Sequence, residues 1–256
     1  ALDIDQLSSG RLMLGLGTGL QKMNEEWYDV EYGKPLTRVK ELVDLLRHVF
    51  GHSGLGLKWE GESYDIRIPA YFRQQVVRTD IPIILAAVNR RMIAAAGEKA
   101  DGMMGHPVHS WKWHQEVTLP ILAETEKKYG RAAGSCQLYP QIITSIQANR
   151  EHAIMDAKRQ IGFSFSVEHY HGILDIHGMR EVGQACRKHL ATYDFEAMAA
   201  CIPDELVEEI AIAGTPDKFQ DRLARWQQLV PEPILFPASI GVPPERVAAN
   251  LGILLS

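Results

Sequence analysis

The 256-residue sequence contains only three cysteines, Cys136, Cys186 and Cys201, and their spacing forms neither a zinc motif nor a disulfide framework. Few, unpaired thiols are typical of a reducing compartment, so the sequence predicts a cytoplasmic protein. No apolar run reaches the roughly 18 residues that a membrane-spanning helix needs, which predicts no membrane partner. The formal net charge of -5 argues against sequence-independent nucleic-acid binding, because such binding needs a basic face.

Several common catalytic and phosphate-binding signatures are also absent. No Gly-x-Ser-x-Gly nucleophile elbow occurs. The glycine-rich residues 15–19 are not a dinucleotide-binding fingerprint, because Leu20 stands where the third glycine is required, and no Gly-Lys-Ser/Thr follows to make a P-loop. The histidines of residues 168–171 and His177 do not have the spacing of a familiar zinc site. The sequence therefore predicts no metal.

The sequence does contain an alternation of apolar runs and helical patterns. Continuous apolar runs predict strands of a parallel sheet that is covered on both faces, at residues 12–16, 81–87, 102–105, 138–146 and 234–237. Apolar residues at spacings of three and four predict helices over residues 36–50, from Asn89, after Ser110 with a kink at Pro120, and over about 151–161. Alternating strands and helices favour an α/β domain.

Two segments interrupt this alternation, and one motif marks a helix boundary. Residues 53–80 are predicted to form a hairpin or excursion loop around residues 59–64, and residues 163–203 a mostly helical insertion. In Gly214-Thr215-Pro216, the glycine suits the position after a helix end, the threonine an N-cap and the proline the first helical position. The whole chain, residues 1–256, is predicted to be a single domain with these excursions.

Three segments resemble the luciferase-like flavin and deazaflavin oxidoreductases. The run Leu-Ser-Ser-Gly-Arg-Leu-Met-Leu-Gly-Leu-Gly-Thr-Gly at residues 7–19 resembles that family's fourth strand and following loop, and Asn24-Glu25 follow as in members that use coenzyme F420. Residues 82–87 and 96–102 resemble its fifth strand, the next helix and the entry to the sixth strand, and residues 214–217 resemble the start of a late helix.

The resemblance implies a fold of the (β/α)8 TIM barrel type. Its first match falls on the family's fourth strand, so the first three βα units are absent from this sequence. Five strands cannot close an eight-stranded barrel with normal tilt and shear. We therefore expect the natural protein to have an N-terminal part before residue 1.

The resemblance also implies a cofactor pocket at the carboxyl ends of the strands. Gly17, Thr18 and Gly19 are expected to line it, because glycines let the backbone approach a flat ring without an intervening Cβ. Asn24 is either a cofactor contact, as in the F420-dependent members, or simply the N-cap of the segment that follows.

The turn Ala87-Val88-Asn89-Arg90 is expected to hold the cofactor phosphate, because amides at a helix N-terminus favour an anion. Many relatives have two glycines where Val88 and Asn89 stand. Arg90 or Arg91 could supply charge instead, and the alternative is that both are solvated arginines on a first turn.

His106 and His109 come directly after a predicted strand, where barrel enzymes place residues of the catalytic mouth, so they are candidates for binding the substrate. Either could instead cap a helix or fill the rim of the fold. No catalytic residue is assigned, because the family's acid and base groups often lie on its first strands.

The leading hypothesis is an F420-dependent oxidoreductase that transfers a hydride between the deazaflavin and a small organic substrate. One alternative is an FMN-dependent monooxygenase. Another is a non-catalytic flavin-binding relative, which the replacement of the paired glycines by Val88 and Asn89 supports. Family resemblance further implies a homodimer.

Overall fold

The computed structural model describes residues 1–72 and 76–255. Within them the strands are, in chain order, β1 (Leu14–Leu16), β2 (Leu57–Glu60), β3 (Asp65–Ile68), β4 (Ile83–Ala86), β5 (Gly102–Met104), β6 (Gln137–Tyr139), β7 (Gln141–Ile146), β8 (Ala211–Gly214) and β9 (Ile234–Pro237). The α-helices are α1 (Leu2–Leu7), α2 (Pro35–Gly51), α3 (Arg90–Lys99), α4 (Trp111–Trp113), α5 (Leu119–Lys128), α6 (Arg150–Phe165), α7 (His171–Leu174), α8 (Arg180–Arg187), α9 (Phe195–Ala200), α10 (Asp204–Ile210), α11 (Phe219–Gln227) and α12 (Pro244–Leu254).

The described residues form two compact units. The first contains Ala1–Met104 and Ile121–Gln137, and the second contains Gly105–Pro120 and the chain from Leu138 onward. The single domain expected from the sequence stays a prediction.

The first unit contains a parallel sheet in the order β1-β4-β5, with Leu16 paired to Leu85 and Ala86 paired to Met104. Leu85 and Met103 are completely buried, and α3 contributes the equally buried Ile93. Each such side chain stabilises the fold by about 1.5–3 kcal/mol. Because the strands are parallel, their carboxyl ends lie at one edge of the sheet.

Strand β1 is two residues shorter at its start than predicted. Leu12 donates its backbone N–H to Asp5 Oδ1 at 3.1 Å, and its carbonyl oxygen accepts a hydrogen bond from Arg78 Nη2 at 2.6 Å. These side chains take the backbone groups that a strand would offer to its neighbour. The apolar pattern alone could not show that competition.

The predicted hairpin is confirmed. Strands β2 and β3 pair antiparallel, with Leu57 opposite Ile68. A carboxylate from α2 holds the turn, because Glu41 Oε2 accepts the N–H of Ser63 at 2.7 Å and Glu41 Oε1 accepts that of Tyr64 at 3.1 Å. Residues 73–75 of the predicted excursion lie outside the described residues.

The second unit contains a parallel sheet in the order β8-β7-β9. Its core includes Ile142 and Ile146 from β7, Ile212 from β8 and Trp226 from α11, all at most 1% exposed. The segment after α6 is mostly helical, as predicted for residues 163–203.

The structure corrects two details of this unit. The strand predicted over residues 138–146 is divided at Pro140, which lacks the N–H that a sheet ladder uses, so β6 ends at Tyr139 and β7 begins at Gln141. The helix end predicted at Gly214 is wrong, because α10 ends at Ile210 and the buried strand β8 follows. Four apolar residues are too short a run for periodicity to distinguish a strand from a helix end.

Helix starts were predicted more accurately. Ser110 caps α4, because its Oγ accepts the N–H of Trp113 at 3.0 Å. Thr215 and Pro216 open a 3₁₀ turn, Pro216–Lys218, that leads into α11. Before Pro120 the chain makes a π-helical turn, His114–Thr118.

Candidate functional site

Two of the predicted binding turns lie at the same edge of the first unit's sheet. Gly17–Gly19 follow β1, Ala87–Asn89 follow β4, and these strands are parallel neighbours. A Cβ placed on Gly17 would stand 3.4 Å from Ala86 Cβ, so the first loop passes directly along the end of β4. The two turns therefore form one continuous edge on which a ligand can lie.

The loop after β1 is held in its shape by Asn24. The Asn24 side-chain nitrogen donates to the carbonyl oxygens of Thr18, at 3.1 Å, and Leu20, at 2.9 Å. The N-cap interpretation of Asn24 is wrong, because Asn24 lies inside a π-helical turn, Met23–Trp27, and has no side-chain oxygen bonded to a following N–H. Its contact with a cofactor stays a prediction.

Gly19 has a specific reason to be glycine. Its φ of +66° is a left-handed conformation, and a Cβ there would stand 2.9 Å from Asn24 Nδ2. Tyr32 adds a second restraint, since its hydroxyl donates to the Gly19 carbonyl oxygen at 3.1 Å. The loop is thus fixed before any ligand arrives.

A cavity of about 170 Å³ opens beside this loop. Its polar walls include Thr18, Tyr32, Arg38 and Tyr64, and its apolar walls include Val30, Val39 and Leu42. Small-molecule pockets usually measure about 300–1,000 Å³, so this cavity accommodates one arm of a ligand rather than a whole ring system.

The turn after β4 ends in a capped helix. Asn89 is the N-cap of α3, and its Oδ1 accepts the N–H of Met92 at 3.0 Å. The N–H of Ala87 donates to the Met104 carbonyl oxygen at 3.0 Å, so that amide belongs to the sheet and is not offered to a ligand. Arg90 and Arg91 are exposed on the first turn of α3.

In the second unit, His106 lies two residues after the end of β5. Its Nδ1 accepts the N–H of Val108 at 3.3 Å, so the neutral ring carries its proton on Nε2. Burial, together with His169 nearby, lowers the pKa of His106 to about 4. The ring centroid lies 4.2 Å from that of Tyr170, and the side chain is partly exposed. At neutral pH His106 is therefore an uncharged hydrogen-bond donor.

His109 lies behind His106 and is completely buried. Its Nδ1 accepts the backbone N–H of His106 at 3.2 Å, and its ring stacks on Trp113 with centroids 5.5 Å apart. His109 therefore contacts the backbone of His106 from the interior of the unit.

A third histidine, His114, completes this group, and its role was not predicted from the sequence. Its ring centroid lies 5.3 Å from that of His109, and burial lowers the pKa of His114 to about 3. Its Nδ1 lies 3.2 Å from Thr118 Oγ1, while Nε2 is buried with no hydrogen-bond partner in the part of the chain that the structure describes. In sequence His114 sits in a helical apolar stripe, and its spacing does not distinguish it from a core residue.

The helical insertion, residues 163–203, packs onto the histidine loop, which is the segment of residues 105–114 that carries the three histidines. Ser110 Oγ lies 2.8 Å from His177 Nε2, and Lys112 Nζ donates to the Ile176 carbonyl oxygen at 3.0 Å. Across residues 1–72 and 76–255, no three His, Cys, Asp or Glu side chains are grouped to hold a metal ion. In the same ranges no helix has the length and apolar character to cross a membrane.

The family model described as luciferase-like monooxygenase matches residues 1–232. An uncharacterized protein of Mycobacterium tuberculosis is 29% identical over 222 residues, covering 84% of this chain and 65% of the relative. The 5,10-methylenetetrahydromethanopterin reductase of Archaeoglobus fulgidus is 25% identical over 226 residues, covering 86% of this chain and 65% of the relative. The chain thus spans just under two thirds of these relatives.

Solved structures show the same fold. The coenzyme F420-dependent tetrahydromethanopterin reductase from Methanopyrus kandleri superposes with a TM-score of 0.72 at 20% identity, over 98% of this chain and 75% of that one. A monooxygenase from Streptomyces bottropensis gives a TM-score of 0.65 at 17% identity, over 99% of this chain and 69% of that one. At these identities the likeness shows the α/β fold alone.

Proposed function

The chain belongs to the luciferase-like monooxygenase family, and from that premise we propose that it is a coenzyme F420-dependent oxidoreductase. It transfers a hydride between the deazaflavin and a small organic substrate. The observation that carries the proposal is the shared edge at which Gly17–Gly19 and the start of α3 lie. The reductase similarities support F420 in particular.

Gly17, Thr18 and Gly19 would hold the flat ring of the cofactor. Two of these three residues lack a Cβ, so the ring can approach the backbone closely. Asn24 holds the loop with its side-chain nitrogen, and its side-chain oxygen would contact the cofactor. The restraints from Asn24 and Tyr32 reduce the entropy lost on binding, because the loop does not have to become ordered.

The start of α3 would hold the anionic tail of the cofactor. The first-turn N–H groups of a helix have no acceptor within the helix, and the helix dipole adds positive potential there. Arg90 and Arg91 supply the charge. Ala87, Val88 and Asn89 shape the turn, with Asn89 acting through its cap on Met92.

When bound, the cofactor supplies the hydride acceptor or donor, and the chain's own residues orient the partners. We propose that His106 contacts the substrate and donates its Nε2–H to a substrate oxygen. His109 positions His106 by accepting its backbone N–H. Because the pKa of His106 is about 4, the ring stays uncharged across the physiological range and polarises the oxygen without giving up a proton.

The complete protein is proposed to close a (β/α)8 TIM barrel, for which the parallel sheets and the structural likeness are the support. The three cysteines of this chain are free thiols, which supports the proposal of a cytoplasmic location. We also propose a homodimer, which sedimentation equilibrium would test.

An FMN-dependent monooxygenase is the second candidate, favoured by the fold likeness to the Streptomyces bottropensis monooxygenase. The test is to incubate the purified chain with each cofactor in its reduced form. Substrate-dependent oxidation of reduced F420 without oxygen uptake supports the proposal. Oxygen uptake with reduced FMN supports the monooxygenase instead. Saturable binding without turnover on a broad panel of substrates supports the non-catalytic relative.

A further inference from the structure

The cavity beside Thr18 contains one positive charge and no negative one. Among its wall residues, Arg38 is the only side chain that is charged at neutral pH. Arg38 is half-buried, and its Nη1 donates to the backbone carbonyl oxygens of Glu31 at 3.0 Å and Tyr32 at 3.5 Å. Among the described residues no carboxylate forms an ion pair with Arg38.

The nearest carboxylate along the same helix accepts hydrogen bonds from other groups. Glu41 lies one turn further along α2, and its two oxygens accept hydrogen bonds from Trp59 Nε1, Ser63 N and Tyr64 N. Arg38 therefore keeps its charge uncompensated at the wall of the cavity, while its Nε and Nη2 donors remain available to a ligand. A half-buried guanidinium in this state favours an anion, and its planar fork matches two carboxylate oxygens.

The remaining walls indicate which anion fits. Val30, Val39 and Leu42 provide apolar surface, which suits a short hydrocarbon chain next to the charged group. A single guanidinium balances one negative charge, whereas a phosphate carries close to two at neutral pH. The cavity volume of about 170 Å³ matches a carboxylate with a few carbon atoms.

From these observations we propose that the cavity binds the carboxylate end of a small organic acid, with Arg38 as the recognition residue. The assignment of that acid as the substrate rests on the proposed redox function. Binding of the carboxylate itself needs no cofactor, so an experiment can contradict the carboxylate site without contradicting the redox function, and the reverse.

The test is calorimetric titration of the full chain, without cofactor, with butyrate, acetate and inorganic phosphate. We expect saturable butyrate binding that Arg38→Gln weakens at least about tenfold, because a hydrogen-bonded charge partner is lost. Arg67→Gln is the matched control. Arg67 is exposed, pairs with Glu60 on the β-hairpin and lines no part of the cavity, so butyrate affinity should not change.

A second variant keeps Arg38 and tests the apolar wall. Leu42→Phe should weaken butyrate several-fold and leave acetate unchanged, because only the hydrocarbon chain meets the larger side chain. Equal butyrate affinity in wild type and Arg38→Gln, or no butyrate binding by the wild type, would overturn the proposal. Phosphate binding tighter than butyrate would also overturn it, as would a loss of F420 affinity in Arg38→Gln, because the anion would then be the cofactor's.

Discussion

Asn24 and Gly19 fit together so closely that neither position tolerates much change. The Asn24 side-chain nitrogen stands 2.9 Å from the place where a Cβ on Gly19 would lie. The same nitrogen bonds the carbonyl oxygens of Thr18 and Leu20, so it cannot move away without releasing the loop. The loop that is proposed to face the cofactor ring depends on this pair.

Replacing Gly19 by alanine should therefore damage the loop. The left-handed φ of +66° costs an alanine about 1–2 kcal/mol, and the new Cβ displaces Asn24. We expect cofactor affinity to fall at least about fivefold. Gly15→Ala is the control, since a Cβ at Gly15 meets no atom within 4 Å and its backbone is ordinary. Fluorescence titration with F420 measures both, and equal loss in the two variants would contradict the explanation.

The N-caps of α3 and α6 allow stability to be separated from binding. Asn89 Oδ1 accepts from Met92 N, and Asn149 Oδ1 accepts from Glu151 N and His152 N. Asn89→Ala and Asn149→Ala should each lower the free energy of unfolding by about 1 kcal/mol in urea denaturation. Only Asn89→Ala should also weaken F420 binding. A matching decrease of affinity in Asn149→Ala would show that the effect is general destabilisation.

Gly105, the glycine of the histidine loop, should not tolerate a larger residue. A Cβ there would stand 2.8 Å from His114 Cε1, and His114 is completely buried. Gly105→Ala should lower the free energy of unfolding by about 1–3 kcal/mol, which is typical of overpacking. The double variant Gly105→Ala/His114→Ala should not show the sum of the two single effects, because removing the imidazole relieves the clash. Strict additivity in thermal unfolding would contradict this contact.

Buried histidines should make stability depend on pH. The folded-state pKa values are about 4 for His106 and about 3 for His114, below the ordinary 6.5. The unfolded chain therefore binds more protons than the folded one as pH falls below about 7. Each histidine should remove about 2 kcal/mol of stability between pH 8 and pH 5.

Urea unfolding at those two pH values measures this loss. His106→Gln should reduce the difference between pH 8 and pH 5 by about 2 kcal/mol, one histidine's contribution. His152→Gln, the same substitution at a histidine that is exposed on α6, is measured beside it as the control. If His106→Gln and wild type lose the same free energy, His106 does not remain neutral in the folded protein.

Much of the framework was predictable from the sequence. Continuous apolar runs such as residues 81–87 identified the parallel strands, since strands covered on both faces need no polar alternation. Apolar spacings predicted helices that begin at Asn89 and after Ser110, and the structure shows that both side chains are N-caps. Gly17 and Gly19 indicated a loop whose backbone a ligand can approach closely, because glycine has no Cβ.

Contacts between distant segments were not predictable. The donation from Arg78 to the Leu12 carbonyl oxygen, which helps to fix where β1 begins, joins residues far apart in the chain. The ring contact between Tyr170 and His106 and the hydrogen bond between Ser110 and His177 likewise arise only when the insertion packs onto the loop. The cavity charge at Arg38 was missed because an arginine in the first turn of a helix is usually solvated.

In the proposed function, the start of α3 would receive the anionic tail of a cofactor whose ring would lie on Gly17–Gly19. The most direct measurement is the dissociation constant of F420, with FMN in parallel, for wild type, Asn89→Asp and Asn149→Asp. Aspartate keeps the helix cap but adds a charge that repels an anion about 4 Å away by about 1 kcal/mol even in water. We predict tight F420 binding by wild type, at least about fivefold weaker binding by Asn89→Asp, and no change in Asn149→Asp. Identical affinities in all three chains, or binding of neither cofactor, would contradict the account.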